Sequence, residues 1–147
     1  MPQGIWAPGT TQLTFSRLHI SGAAIAGARL FYCFAVRFHD CDIDANDIGI
    51  HSACTDLRVT GSNLYSQNVA GVLIDGGESQ VIDNNVIEGT NGPAVIVSGG
   101  IWGAPFGTAV TSNIFLDNSL RPGWWLALRS SGSPLLICTE LLLTGGP

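Results

Sequence analysis

A six-residue pattern of apolar and polar positions recurs five times along the chain. Each copy has an apolar residue first and sixth, with mostly polar residues between them, and in one copy Thr60 takes the first apolar place. The copies are residues 15–20, 38–43, 60–65, 82–87 and 110–115. Their fourth residues, at intervals of 23, 22, 22 and 28, are Leu18, Cys41, Asn63, Asn85 and Asn113. A spacing this regular indicates an internal structural repeat.

A second segment repeats with the same period. Four-residue segments begin at Gly27, Gly49, Gly71 and Pro93, which follow one another at a constant 22-residue interval. The pieces are short, rich in Val, Ile, Leu and Phe, and separated by Gly, Asn, Asp and Ser, which predicts strands and turns rather than helices. Three short strands in a coil cannot bury their apolar side alone, so stacking of coils supplies the core. The repeat predicts an all-β solenoid of about five to six coils, roughly 25–30 Å long at about 4.8 Å per coil.

The column of asparagines at positions 63, 85 and 113 resembles the asparagine ladder of right-handed parallel β-helices of the pectin-lyase-like superfamily. The resemblance covers residues 11–119, with Cys41 and Leu18 in the ladder position of the earlier coils. It implies that the Gly-x-x-x segments form the first sheet. It implies a second sheet through Phe38, Ile82 and Val110 and a third through Ile43, Tyr65, Ile87 and Phe115. In related polysaccharide lyases and hydrolases the substrate groove runs along the first sheet.

Composition narrows the classes of partner. The chain has 147 residues, a net charge of −5 and only six Lys plus Arg residues, which argues against a nucleic-acid partner. It has no apolar run of about 18 residues and no recognisable signal peptide, so no membrane partner is expected. The resemblance implies an extracellular, cell-surface or virion location. The four cysteines lack zinc-site spacing and are predicted to be free and buried.

The repeat is interrupted near residue 100 and fades after residue 119. Six extra residues precede Asn113, and they carry Trp102 and Phe106, which either stack on sugar rings or cover apolar surface. Residues 135–143 are expected to form a last coil, a cap or an interface strand. We predict one β-helix domain over residues 1–147, irregular over 120–147, that is a fragment of a longer parent chain or is capped by another subunit.

The residues that could act in catalysis or in substrate binding lie along the predicted first sheet. Strand alternation points Arg29 and His51 outward, together with Leu73 and Val95. The turns that enter and leave this sheet carry carboxylates. We predict Asp75, His51 and Asp47 as catalytic residues, and the predicted substrate-binding residues are Arg29, Glu78, Trp102 and Phe106. Carboxylates can act as an acid/base pair in glycoside hydrolysis, and arginine can neutralise a uronate. The competing interpretation is an ordinary solvated surface.

Together with these residues, the resemblance implies a module that acts on or binds an acidic polysaccharide, with the choice between lyase, hydrolase and simple binding left open. Motifs of polygalacturonase-like hydrolases, such as Asn-Thr-Asp and Gly-His-Gly, are missing from the sequence. No cofactor or metal is expected; an acidic run from Asp40 to Asp47 leaves calcium as a weak alternative. The alternative function is a non-catalytic spike or surface-fibre segment, a homo-oligomer assembled through Leu73, Val95 and the leucine-rich C-terminal segment.

Overall fold

The computed structural model describes residues 3–98, 105–116 and 118, and the backbone of residues 126–129, 136–139 and 142–144. The described residues contain strands and turns and no helix. The strands are β1 (Gln3–Pro8), β2 (Thr14–Ser16), β3 (His19–Ser21), β4 (Ala26–His39), β5 (Asp42–Asp44), β6 (Ile48–Thr60), β7 (Asn63–Tyr65), β8 (Ala70–Ile74), β9 (Val81–Asp83), β10 (Val86–Glu88), β11 (Val95–Ser98), β12 (Thr108–Thr111), β13 (Ile114–Leu116), β14 (Leu126–Arg129), β15 (Leu136–Thr139) and β16 (Leu142–Thr144).

The strands stack in parallel on three faces. The first face is formed by β1, the first halves of β4 and β6, and then β8, β11 and β14. The second face is formed by β2, the second halves of β4 and β6, and then β9, β12 and β15. The third face is a six-stranded sheet in the order β16-β13-β10-β7-β5-β3. The predicted three-stranded coil is therefore present, and the stacked strands begin at Gln3, earlier than residue 11.

Successive turns of the coil differ slightly in length. On the third face Ile20, Ile43, Leu64 and Ile87 are register partners, and the step from Ile43 to Leu64 is the shortest of the three between them. The next two steps, to Phe115 and then to Leu143, are clearly longer. About four turns thus follow at a nearly constant spacing, fewer than the five to six regular coils that the sequence predicts.

The core is a stack of fully buried apolar side chains inside the coil. On the third face Ile43, Leu64 and Ile87 are completely buried. On the second face Phe38, Val59, Ile82 and Val110 occupy the same kind of column. Each apolar column removes its side chains from water only because the next turn covers it, so stability comes from stacking.

The predicted ladder is present, but its member in the third turn is Ser62 and not Asn63. The Ser62 N–H donates to Asn85 Oδ1 (2.9 Å), and the Asn85 N–H donates to Asn113 Oδ1 (3.0 Å). Asn63 is exposed and donates from Nδ2 to Asp42 on the outside. The reason is the short step into this turn, which moves the inward position one residue towards the N-terminus; for the same reason Leu64, not Tyr65, fills the third-face core column.

A second polar ladder lies at the turn between the third and first faces, and sequence reasoning missed it. The Ala23 N–H donates to Asn46 Oδ1 (2.8 Å), and the Asn46 N–H donates to Gln67 Oε1 (3.0 Å). One position further along the stack the Thr90 N–H donates to Asn118 Oδ1 (3.1 Å). Because neighbouring turns carry different residue types in this column, its members do not stand out as a repeat in the sequence.

A column of glycines lies near the start of the first-face strands. Gly4, Gly27, Gly49 and Gly71 follow one another in adjacent turns. A Cβ at Gly27 would lie 2.8 Å from the Gly49 carbonyl oxygen, and a Cβ at Gly71 would lie 2.7 Å from that of Ala94. The predicted Gly-x-x-x repeat therefore reflects close backbone approach between turns, which a side chain would block.

Candidate functional site

One outward column runs along the first face. Trp6, Arg29, His51, Leu73 and Ile96 are successive register partners. The prediction that Val95 points outward is wrong: the step from Leu73 to its partner is one residue longer than the regular interval, so Val95 is completely buried and Ile96 takes the outward position with 6% exposure. Arg29 and His51 are neighbours on the outer surface, as predicted from the sequence.

Arg29 is held by aromatic rings. Its guanidinium carbon lies 5.5 Å from the centre of the Trp6 ring and 4.8 Å from the centre of the Phe31 ring. These distances are typical of cation–π contacts. Its Nε is buried without a hydrogen-bond partner, and within the described residues no carboxylate forms an ion pair with it. The rings therefore hold a cation that forms no ion pair within the described residues and whose Nε makes no hydrogen bond.

His51 lies between this cation and a carboxylate. Its Nε2 is 3.5 Å from Asp75 Oδ2, at the outer limit of hydrogen-bond distance, and its ring meets Phe31 edge to face at 5.0 Å between centres. Burial lowers the pKa of His51 below its usual value, the Asp75 carboxylate acts in the opposite direction, and the positive charge of Arg29 lowers that pKa further. His51 is therefore a neutral imidazole at neutral pH.

Asp47 does not join this group. Asp47 precedes the first-face part of β6 and accepts a hydrogen bond from Asn68 Nδ2 (2.9 Å). Its backbone pairs with Val69 in the next turn, while Asp75 lies beyond Val69 at the other end of β8. At about 3.3 Å per residue the backbones of Asp47 and Asp75 lie roughly 20 Å apart. Glycoside hydrolases hold their carboxylate pair within about 5–10 Å, so Asp47 and Asp75 do not form such a pair.

A bulge at the corner between the first and second faces opens a cavity. Phe31 pairs with Ala53 and Phe34 pairs with Thr55, so two residues of β4 stand opposite one residue of β6. The extra residue, Tyr32, has a positive φ of 56° and is 70% exposed. The cavity has a volume of about 340 Å³, and it is lined by Tyr32, Cys33, Phe34, Ala53, Thr55 and Gly77.

A row of outward residues borders this cavity along the coil axis. Phe34 pairs with Thr11 on one side and Thr55 on the other, and Glu78 pairs with Phe106. The Asp56 N–H donates to the Glu78 carbonyl oxygen (2.8 Å), which joins the two pairs into one row. Phe34 and Phe106 are 51% and 61% exposed, three turns or about 14 Å apart.

The predicted substrate-binding residues thus divide into three groups. Phe106 and Glu78 are exposed neighbours in the row, and Arg29 lies on the adjoining first-face column. Trp102 lies outside the described residues. The sequence analysis missed Trp6, Phe31 and Phe34, because none of them belongs to a repeated motif.

Other candidate chemistry is limited within the described residues. No group of three metal-ligating side chains comes together there, and the carboxylates of the acidic run bind neighbouring side chains, such as Asp44 with His19 (2.7 Å). Cys33, Cys41 and Cys54 are buried and free, as predicted for these three. A search of the same residues finds no helix of sufficient length and hydrophobicity to cross a membrane.

Stacked parallel strands on three faces, with polar ladders at the turns, define the protein as a parallel β-helix. The chain belongs to the family described as "Right handed beta helix region", whose sequence model matches residues 3–133. The predicted all-β, right-handed parallel β-helix is therefore confirmed, and the match is consistent with the pectin-lyase-like superfamily. Comparison with curated proteins and with solved structures finds no match.

Proposed function

We propose that the protein binds an acidic polysaccharide in the groove between the first-face column and the row that contains Phe34 and Phe106. The observation that carries the proposal is the combination of exposed aromatic rings, an open cavity and an arginine that forms no ion pair within the described residues. An extracellular or surface location, where such polymers occur, belongs to the same proposal.

The chemistry of a glycan chain matches these features. Sugar rings present flat apolar faces that stack on aromatic side chains, and Phe34 and Phe106 offer two such contacts along the axis. The guanidinium of Arg29 is suited to bidentate recognition of a sugar carboxylate. Because the rings lie about 14 Å apart along the stack, the polymer would run parallel to the coil axis.

We propose binding and not catalysis as the primary function, because only one of the two carboxylates predicted to be catalytic lies beside His51. Asp75 contacts the imidazole, whereas Asp47 lies roughly 20 Å away along the strands. Hydrolysis by a pair formed from these two carboxylates is therefore disfavoured. An elimination reaction, with proton abstraction by the His51–Asp75 pair, is a distinct outcome that product analysis would detect.

The test is a calorimetric titration with uronate-containing oligosaccharides and with neutral oligosaccharides of equal length. Phe34→Ala is expected to weaken binding of both classes, while Tyr65→Ala, a substitution on the third face, leaves both unchanged. Product sizing after long incubation distinguishes binding from cleavage. Failure of the unmodified chain to bind any acidic glycan in the panel would contradict the proposal.

The second candidate is a structural, self-assembling β-helix, favoured by the edges of the stack. Among the described strands, β1, β2 and β3 each pair on one side only, and unpaired strand edges are able to pair with a further strand. Leu13 and Phe15 are only partly buried beside this edge. Light scattering across a concentration series tests this candidate: a concentration-dependent oligomer in the absence of glycan would favour assembly, and a monomer throughout would count against it.

A further inference from the structure

Two cysteines face each other across neighbouring turns inside the coil. The register brackets them, because Phe31 pairs with Ala53 before them and Phe34 pairs with Thr55 after them. The bulge turns Tyr32 outward and leaves Cys33 directed inward, opposite Cys54. Neighbouring strands lie about 4.8 Å apart, within the roughly 4.4–6.8 Å between Cα atoms that a disulfide requires.

The contacts of the two thiols show how they would meet. Cys33 Sγ donates to the Ala7 carbonyl oxygen (2.8 Å), and Cys54 Sγ donates to the Leu30 carbonyl oxygen (3.3 Å), so both side chains point towards the preceding turn. Cys54 is therefore directed at the turn that carries Cys33, and a rotation of Cys33 about χ1 brings its sulfur to face Cys54. Cys33 lines the corner cavity and Cys54 is not among its lining residues, which brings a small oxidant closer to Cys33 than to Cys54.

We propose that Cys33 and Cys54 form a cross-strand disulfide when a peroxide oxidises the protein, and that Cys33 reacts first. Hydrogen peroxide oxidises the Cys33 thiol to a sulfenic acid, as its O–O bond breaks and one water is released. The Cys54 sulfur then attacks Cys33 Sγ. An S–S bond forms, the S–O bond breaks, and the departing hydroxide takes the Cys54 proton as a second water. The two thiols lose two electrons in all, and the peroxide gains them.

The order of reaction follows from access and protonation. Burial raises the pKa of the Cys54 thiol to about 11, so Cys54 is protonated at neutral pH and is the poorer first nucleophile. Cys41 provides an internal comparison, since it is also buried but its partner in the next turn is Ser62, whose Oγ accepts from the Cys41 N–H (3.1 Å). A general oxidation of buried thiols would include Cys41, whereas a paired site would not.

The experiment treats the folded chain with hydrogen peroxide, blocks the remaining thiols after unfolding, and locates the linkage by tandem mass spectrometry. We expect a Cys33–Cys54 link and a mass loss of about two hydrogens, in both the unmodified chain and Cys41→Ser. The melting temperature should rise by about 5–10 °C and return on reduction, because the link closes a loop in the unfolded chain. Cys54→Ser should stop at a Cys33 sulfenic acid that dimedone traps.

Three results would overturn the proposal: four unreacted thiols after oxidation, a link from either cysteine to another one, or over-oxidised Cys33 beside an unreacted Cys54. Mapping the oxidised cysteines of the unmodified chain distinguishes these three results from the expected disulfide, even if Cys54→Ser does not fold.

Discussion

Buried polar side chains differ between two regions of the molecule: those inside the turn beside β10 are fully hydrogen-bonded, and those on the outside of the first face are not. Asn85 is 1% exposed, and its side chain donates to Val59 O (2.9 Å) and accepts from the Ser62 N–H. On the outer face, Arg29 Nε and His51 Nε2 are equally inaccessible but lack a hydrogen bond of good geometry. An interior polar group is retained because it completes the backbone hydrogen bonding, whereas the pairing of these two nitrogens on the outer column is incomplete.

The largest effect should come from breaking the interior ladder. Asn85→Leu leaves the buried Ser62 N–H without a partner and removes the side-chain bonds to the Val59 carbonyl and to Asn113 Oδ1, so we expect a loss of about 3–5 kcal/mol in the free energy of unfolding. Urea denaturation measures it. The matched control is Asn63→Leu, which changes an exposed residue one position along and should cost less than about 0.5 kcal/mol. Equal losses would mean that Ser62 does not belong to the ladder.

The next effect concerns the close approach of turns at the glycine column. A Cβ at Gly49 meets the Gly71 carbonyl oxygen, so Gly49→Ala should destabilise the chain by about 2–3 kcal/mol through forced separation of two turns. Gly22→Ala is the comparison, since open space surrounds Gly22 and only its positive φ of 73° opposes a side chain. We expect about 1 kcal/mol there, and a similar cost at both glycines would argue against the proposed packing of turns.

On the outer face, the expected effect is on affinity rather than stability. Arg29→Ala should weaken binding of a uronate oligosaccharide roughly 10- to 100-fold, because it removes a charge-assisted hydrogen bond of about 1.5–3 kcal/mol. Binding of the neutral oligosaccharide of equal length should change much less. Arg17→Ala, on another face, is the charge-matched control in the same titration. Equal losses for acidic and neutral glycans would exclude recognition of charge by Arg29.

The smallest effect is a pH dependence from His51. Its pKa is lowered in the folded state, so between that lowered value and about 6.5 the unfolded chain binds more protons than the folded one. Stability should therefore fall as the pH is lowered through 6.5 and level off below the folded-state pKa. Denaturation midpoints at several pH values measure it, with His51→Asn as the variant that loses this part of the slope. An unchanged slope in His51→Asn would assign the dependence to other groups.

The outward column shows how far the sequence predicts the site. Arg29 and His51 were correctly placed as neighbours because both follow a repeated glycine at a 22-residue interval. Val95 was misplaced because the interval there is longer by a single residue, and a shift of one position reverses the side of a strand. The separation of Asp47 and Asp75 already follows from the sequence, because the repeat places Asp47 in the turn before the first sheet and Asp75 in the turn after it, a strand length apart.

The sequence by itself determined the architecture, because a repeat that buries its apolar residues only by stacking leaves few other solutions. The repeat spacing of Phe38, Ile82 and Val110 is sufficient to predict the column of core residues on the second face. Only the tertiary structure decided the exact register of each turn and the residues that meet at the corner. Trp6, Arg29 and Phe31 come from two turns, and Cys33 faces Cys54 because of a single extra residue in β4. Such contacts depend on turn lengths and bulges, which shift side chains by one position and leave the apolar period almost unchanged.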